Sequence, residues 1–175
     1  MKYVDYPELA AAAKSVKPFR RFIDTEAAIF HNPPDMIKAI NQYLVKTRQA
    51  RAETPAEYAR CIFESLAYGY AEVLHLLELT TGQKFARIHV VGGGARNDLL
   101  NSFTANASGR EVLSGPVEAT AVGNGLMQAL SDGLFGSLSE MRKSIADSFE
   151  VKRFQPVETE EWNKNFNRYR EIISG

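Results

Sequence analysis

Two short apolar segments, each followed by glycine and then by a helical pattern, constrain the fold of this chain most. Residues 87–91 are branched and apolar and predict a buried strand, which three consecutive glycines at 92–94 end. Residues 111–114 predict a second strand, and a Gly-Pro turn leads from it into a helix over about 117–131. Two strand–helix units in succession predict parallel strands joined by right-handed crossovers.

Helical patterns fill most of the remaining sequence. The segment Thr54-Pro55-Ala56-Glu57 has the pattern of a capping box, and it opens a long apolar stripe that should end at Gly82. Further helices are predicted after Pro7, after Asp35, from Asn97 or Asp98 to Gly109, after Ser137 and over the last fifteen residues. A two-stranded parallel sheet is not a stable domain centre, so either the patterns miss further strands or the chain is an α/β part of a larger fold.

Composition and the absence of targeting patterns argue against several classes of function. The 21 basic and 21 acidic side chains balance, whereas a nucleic-acid-binding protein normally carries a basic excess. The single cysteine, Cys61, lies in an apolar helical pattern and predicts a buried, inert thiol in a reducing compartment. The sequence has neither the pattern of a signal peptide nor an apolar run long enough to span a membrane. We therefore expect a cytoplasmic protein without nucleic-acid or membrane partners.

The glycine turn after the first strand is the one candidate nucleotide site. Glycines let a flat ligand lie against the backbone, and a following helix presents free N–H groups. A Walker motif is excluded, because no Gly-Lys-Ser/Thr follows the glycines. A dinucleotide fingerprint fits poorly, because Asn97 stands where its third glycine should be and Glu111 lies at the wrong end of the second strand. The adenosine loop of the sugar kinase, hexokinase and actin superfamily fits better.

Four separated segments carry a more specific resemblance. Residues 89–100 read HVVGGGARNDLL and residues 115–124 read GPVEATAVGN, which together resemble the C-terminal domain of the FGGY carbohydrate kinases. Residues 30–36, FHNPPDM, and residues 59–67, ARCIFESLA, resemble the branch of that family that acts on L-rhamnulose. The segments occur in the family's order, and the resemblance covers nearly the whole chain from about residue 5.

The resemblance implies an ATP-dependent kinase that phosphorylates the 1-hydroxyl of L-rhamnulose, with Mg²⁺ as cofactor. It implies that Gly92, Gly93, Gly94 and Asn97 contact the adenosine and α-phosphate of ATP or ADP. Asn97 can equally be a helix N-cap, and the two roles can coexist. The implied fold is part of a ribonuclease-H-like C-terminal lobe. Residues 1–50 would form a helical lead-in, and residues 51–175 would form the lobe's C-terminal part.

The departures from the family pattern concern catalysis. The family's catalytic aspartate lies in a His-Asp-Thr segment, and no His-Asp pair occurs in this sequence. The N-terminal lobe, most sugar contacts and the first strands of the C-terminal lobe are expected to lie outside this chain. We therefore expect the chain alone to be inactive and to self-associate through surfaces left exposed. A dinucleotide-binding module and a non-enzymatic interaction domain remain the alternatives.

Overall fold

A computed structural model of the protein describes residues 5–174. Within that range, helices dominate and the strands are short. The helices are α1 (Tyr6–Ser15), α2 (Met36–Lys46), α3 (Pro55–Thr81), α4 (Asp98–Ser108), α5 (Ala119–Ser131), α6 (Leu138–Ser148) and α7 (Thr159–Ser174). The strands are β1 (Arg87–Val90), β2 (Glu111–Ser114) and β3 (Lys152–Phe154).

The three strands form one mixed sheet in the order β1-β2-β3. Strands β1 and β2 are parallel, in a register that pairs Arg87 with Glu111 and Val90 with Ser114. The prediction of two parallel strands joined by a helix is confirmed. Strand β3 pairs with β2 in the antiparallel direction. The sequence pattern indicated only an extended segment there, because three residues are too few for a clear period.

The prediction that β1 is buried is wrong. Arg87 and His89 are exposed, and Ile88 and Val90 are only partly buried. Strand β1 pairs only with β2, so its other edge is open in the part of the chain that the structure describes. The exposed Arg87 and His89 alternate with the partly buried Ile88 and Val90, which is the pattern of a strand covered on one face. The composition of β1 therefore agrees with its position at the edge of the sheet.

Helix α3 is the longest element and begins and ends where local sequence predicts. The Thr54 hydroxyl accepts a hydrogen bond from the Glu57 amide at 3.3 Å, and the Glu57 carboxylate accepts one from the Thr54 amide at 3.3 Å. Gly82 ends the helix in the left-handed conformation, with φ of 68°. Both predicted signals are confirmed. None of the helices within residues 5–174 is long and apolar enough to cross a membrane.

An aromatic cluster forms the centre of the main core. Tyr68 of α3 stacks on Tyr169 of α7 with ring centroids 5.0 Å apart, and Phe22 packs edge-on against Tyr68 at 5.4 Å. The Tyr68 hydroxyl donates to the Trp162 carbonyl at 2.8 Å. Burial raises the pKa of the Tyr68 hydroxyl above its usual range. Residues 13–22, α3 and α7 thus share one core.

A buried carboxylate holds the loop after α1 against α3. The two oxygens of Glu64 accept from the Phe19 amide at 3.1 and 3.0 Å, and Arg60 pairs with the same carboxylate. Phe19 has a positive φ of 56°, a conformation that this anchoring supports. Arg168 of α7 donates to the Phe19 and Arg20 carbonyls at 2.6 and 3.1 Å. The loop is therefore fixed from both α3 and α7.

The predicted burial of the cysteine is confirmed. Cys61 is 2% exposed in the second core cluster, next to Ile40 and Leu44 of α2. Burial raises the pKa of its thiol to about 12, so the reactive thiolate is scarce at neutral pH.

Candidate functional site: the glycine turn after β1

The glycine turn lies at the carboxyl edge of the parallel strands. Residues 92–96 form a 3-10 turn directly after β1. The Gly92 amide donates to the Pro116 carbonyl at 3.0 Å, and the Gly115 amide donates to the Val90 carbonyl at 2.8 Å. These two bonds join the turn after β1 to the turn after β2. The carboxyl edge of parallel strands is the usual position of ligand sites in open α/β sheets.

The three glycines of the turn face different surroundings. Gly92 has a φ of +74°, which side chains other than glycine adopt only with strain. A Cβ at Gly94 would meet the Cγ1 of Val90 at 3.4 Å, so this position packs on the strand. A Cβ at Gly93 would meet nothing within 4 Å. Gly93 therefore faces open space, where a ligand could lie directly on the backbone.

Asn97 closes the turn and caps the next helix. It is 7% exposed, and its side-chain oxygen Oδ1 accepts from the Leu100 amide at 3.0 Å. The predicted N-cap role is confirmed. The amide nitrogen Nδ2 makes no hydrogen bond to another residue in the described part of the chain, so it stays available as a donor. Capping and ligand binding use different atoms of this side chain and can coexist.

The start of α4 already carries a side-chain cap and an ion pair. Asp98 stands in the first turn, and its carboxylate pairs with Lys152 of β3 at 2.9 Å. The hydrogen bond from Lys152 to Asp98 raises the pKa of that ammonium group. The α4 N-terminus thus already holds a side-chain cap and a carboxylate.

Two buried polar residues under the turn escaped the sequence reasoning. Ser114, the last residue of β2, donates from Oγ to the Ala95 carbonyl at 2.7 Å. Asn101 of α4 donates from Nδ2 to the Gly94 and Ala95 carbonyls at 3.5 and 3.4 Å. The available signal was topological, because the last residue of a parallel strand lies at the same edge as the turn after its neighbour. Residues 5–174 contain no cluster of three His, Cys, Asp or Glu side chains that could hold a metal ion.

A concave surface, the β1 groove, lies between α3, β1 and α4. Its volume is about 480 Å³. Helix α3 supplies one wall, and β1 with the start of α4 supplies the other. The apolar lining includes Tyr70, Val73, Leu74, Leu77, Ile88 and Val90. Val73 is 57% exposed and Leu77 is 48% exposed. Such a continuous apolar surface is typical of an interface.

Comparison with known proteins identifies the family. The sequence model of the FGGY family of carbohydrate kinases, C-terminal domain, matches residues 2–131. The chain belongs to this family. It is 41% identical over 168 residues to a rhamnulokinase of Bacteroides thetaiotaomicron, covering 96% of this chain and 35% of that protein. It is 42% identical over 151 residues to a rhamnulokinase of Bacillus subtilis, covering 86% of this chain and 31% of that protein. The FGGY chain thus spans about a third of the length of these curated relatives.

Two solved kinase structures show the same fold. The xylulose kinase from Rhodospirillum rubrum matches with a TM-score of 0.56 at 16% identity, covering 70% of this chain and 25% of that one. A ligand-bound xylulose kinase from Lactobacillus acidophilus matches with a TM-score of 0.57 at 21% identity, with the same coverage. The predicted fold class is confirmed in that the chain is a helix-rich α/β part of the fold that these kinases share.

Proposed function

We propose that this chain is the adenosine-binding part of a kinase that transfers the γ-phosphoryl group of ATP to the 1-hydroxyl of L-rhamnulose. The identity to two rhamnulokinases supports the choice of sugar, which no residue geometry in this chain selects. The observation that carries the nucleotide role is the glycine turn. It has one glycine with a positive φ, one that faces open space, and an asparagine with a free amide.

Each site residue has a distinct part in this proposal. Gly92 provides the backbone bend, and Gly93 provides the flat surface for the nucleoside. Gly94 keeps the turn close to Val90. The Nδ2 group of Asn97 donates a hydrogen bond to the adenosine or the α-phosphate. Mg²⁺ neutralises phosphate charge when bound, and we propose that it arrives with ATP and is held by the phosphates and by residues of the rest of the kinase.

Turnover needs more than this turn. Phosphoryl transfer depends on positioning and on electrostatic stabilisation of the transferred group, together with a base near the attacking hydroxyl. The family's His-Asp-Thr segment has no counterpart in this sequence. We therefore expect no ADP formation above background from the chain alone with ATP, Mg²⁺ and L-rhamnulose.

The β1 groove is the surface that we propose contacts the rest of the kinase. In a whole kinase, the remaining two thirds of the polypeptide would cover the β1 groove. In the chain alone, a second copy can pair with the open edge of β1 and bury the apolar side chains beside it. Self-association of the isolated chain is therefore a consequence of the exposed groove.

ADP titration of the purified chain by calorimetry tests the nucleotide role. Saturable binding is expected, and Gly93→Asp should abolish it, because the new carboxylate occupies the open surface without disturbing the packing. Ala86→Asp is the matched control, because Ala86 is exposed at the opposite end of β1 and should leave ADP affinity unchanged. Binding of NADH without binding of ADP would instead favour a dinucleotide module. Binding of neither ligand would contradict the adenosine role.

A further inference from the structure

We infer that Ser114 is a positioning residue for the nucleotide loop, through the hydrogen bond from its hydroxyl to the carbonyl of Ala95. The inference rests on the proposed role of the glycine turn. Ser114 contacts no nucleotide in this view. It fixes the backbone on which the adenosine would lie, and so couples the end of β2 to ligand affinity.

The hydrogen bond is short and enclosed. Ser114 is 3% exposed, and its Oγ lies 2.7 Å from the Ala95 oxygen. Ala95 is itself buried, in the middle of the turn. The same oxygen receives a second, longer bond of 3.4 Å from Nδ2 of Asn101. Removing the hydroxyl would leave a buried carbonyl with only the long, weak bond.

The turn needs such an external support. Three glycines give it the largest conformational freedom that a backbone can have, and 3-10 hydrogen bonds have poor geometry. The bonds between Gly92 and Pro116 and between Gly115 and Val90 fix only the point where the turn leaves the strand. Ser114 fixes the middle of the turn at Ala95, which lies two residues from both Gly93 and Asn97. A turn held in one shape does not lose conformational entropy again when the ligand binds.

Another buried serine provides a matched control for stability. Ser65 of α3 is fully buried, donates to the Cys61 carbonyl at 2.7 Å and accepts from the Ile23 amide at 2.9 Å. It lies in the core between α3 and the loop after α1, and has no contact with the turn in the described hydrogen bonds. Ser65→Ala therefore removes a comparable buried hydroxyl without altering the turn.

The test measures ADP affinity by calorimetry and amide hydrogen exchange of residues 93–97 in the same chain. Ser114→Ala should weaken ADP binding about fivefold to tenfold and should speed exchange in the turn. Ser114→Cys, whose larger thiol group donates only weakly, should fall between the parent chain and Ser114→Ala. Ser65→Ala should lower the free energy of unfolding and leave both readouts of the turn unchanged.

The outcomes separate this inference from the proposed function. Unchanged ADP affinity and unchanged exchange in a folded Ser114→Ala chain would overturn the inference. If the parent chain binds no ADP, the proposed function fails. Exchange in the turn then decides by itself whether Ser114 holds the loop: faster exchange supports that role and unchanged exchange overturns it.

Discussion

Glu78 shows how a single side chain can organise both strands at once. It lies in the last turn of α3 and is 7% exposed. Its carboxylate accepts from Lys84 Nζ at 2.9 Å, from the Phe85 amide at 3.0 Å and from Arg110 Nη2 at 3.1 Å. Lys84 and Phe85 precede β1, and Arg110 precedes β2. Glu78 thus joins the starting points of the two parallel strands, at the end opposite to the glycine turn.

These donors give the carboxyl group a pH dependence that can be measured. The hydrogen bond from Lys84, followed by those from the Phe85 amide and Arg110, lowers the pKa of Glu78 from 4.5 to about 2. A lowered folded pKa stabilises the native state at pH values above the unfolded pKa. That contribution is lost as the pH falls from about 4.5 towards 2. Glu78→Gln should therefore lower the free energy of unfolding at pH 7 and have little effect near pH 2.

Denaturant unfolding of the parent chain and of Glu78→Gln at several pH values checks this expectation. Glu72→Gln is the control, because Glu72 lies on the same helix and forms a more exposed pair with Arg170 at 2.8 Å. The free energy of unfolding of Glu72→Gln should differ little from that of the parent chain at every pH. If the free energies of unfolding of the Glu78→Gln chain and the parent chain differ by the same amount at every pH, then Glu78 adds no pH-dependent stability.

At the scale of elements, the start of α3 is the best-defined local signal. Besides the reciprocal bonds of the capping box, Glu57 accepts from the Glu53 amide at 2.8 Å and pairs with Arg21 at 3.1 Å. The backbone bond from Glu53 is the largest of the contacts that lower the pKa of Glu57. Arg21 also donates to the Arg51 carbonyl at 2.7 Å. The cap of α3 therefore also anchors the loop that follows α1.

Removal of this cap should destabilise the chain by a predictable amount. Thr54→Ala should lower the free energy of unfolding by about 1 kcal/mol, the usual effect of losing an N-cap hydroxyl. Thr80→Ala is the control, because Thr80 is exposed near the other end of α3 and its hydroxyl bonds only to the Leu76 carbonyl of its own helix. Equal midpoints for the two variants in urea unfolding would contradict the prediction.

The helices and strands also show which structural features depend only on neighbouring residues in the sequence. The caps at Thr54 and Asn97 and the left-handed ends at Gly82 and Gly109 were predictable, because each depends on residues within one turn of a helix. The exposure of β1 and the support of the turn by Ser114 were not, because both depend on which strand lies beside which. Sequence reasoning thus located the glycine turn and missed the residue beneath it. Ligand contact by Gly92, Gly93, Gly94 and Asn97 stays a prediction.

For the whole molecule, the main consequence of the fold is an exposed apolar surface beside an unpaired strand edge. Within residues 5–174, one edge of β1 pairs with no strand, and the second half of α3 exposes Val73, Leu76, Leu77 and Leu79 along its length. A formal net charge of zero provides no long-range repulsion between copies. We therefore expect the isolated chain to form dimers or larger assemblies at micromolar concentration, as measured by sedimentation velocity.

Variants can show whether the β1 groove is the surface involved. Val73→Lys and Leu77→Lys each place a charge in the groove and should shift the chain towards monomer. Leu134→Lys is the control, because Leu134 is 74% exposed but lies outside the groove. A parent chain that sediments as a monomer would contradict the prediction, and so would an equal response of all three variants.

The shared core of Phe22, Tyr68 and Tyr169 has a consequence for the order of events during synthesis. The aromatic rings that enclose Tyr68 come from positions more than 90 residues later as well as from those more than 40 residues earlier. Helix α3 leaves the ribosome long before Trp162 and Tyr169 exist to cover it. The nascent chain must therefore carry an uncovered aromatic face until α7 emerges. Protection by a chaperone would matter most during that interval, before α7 covers the face.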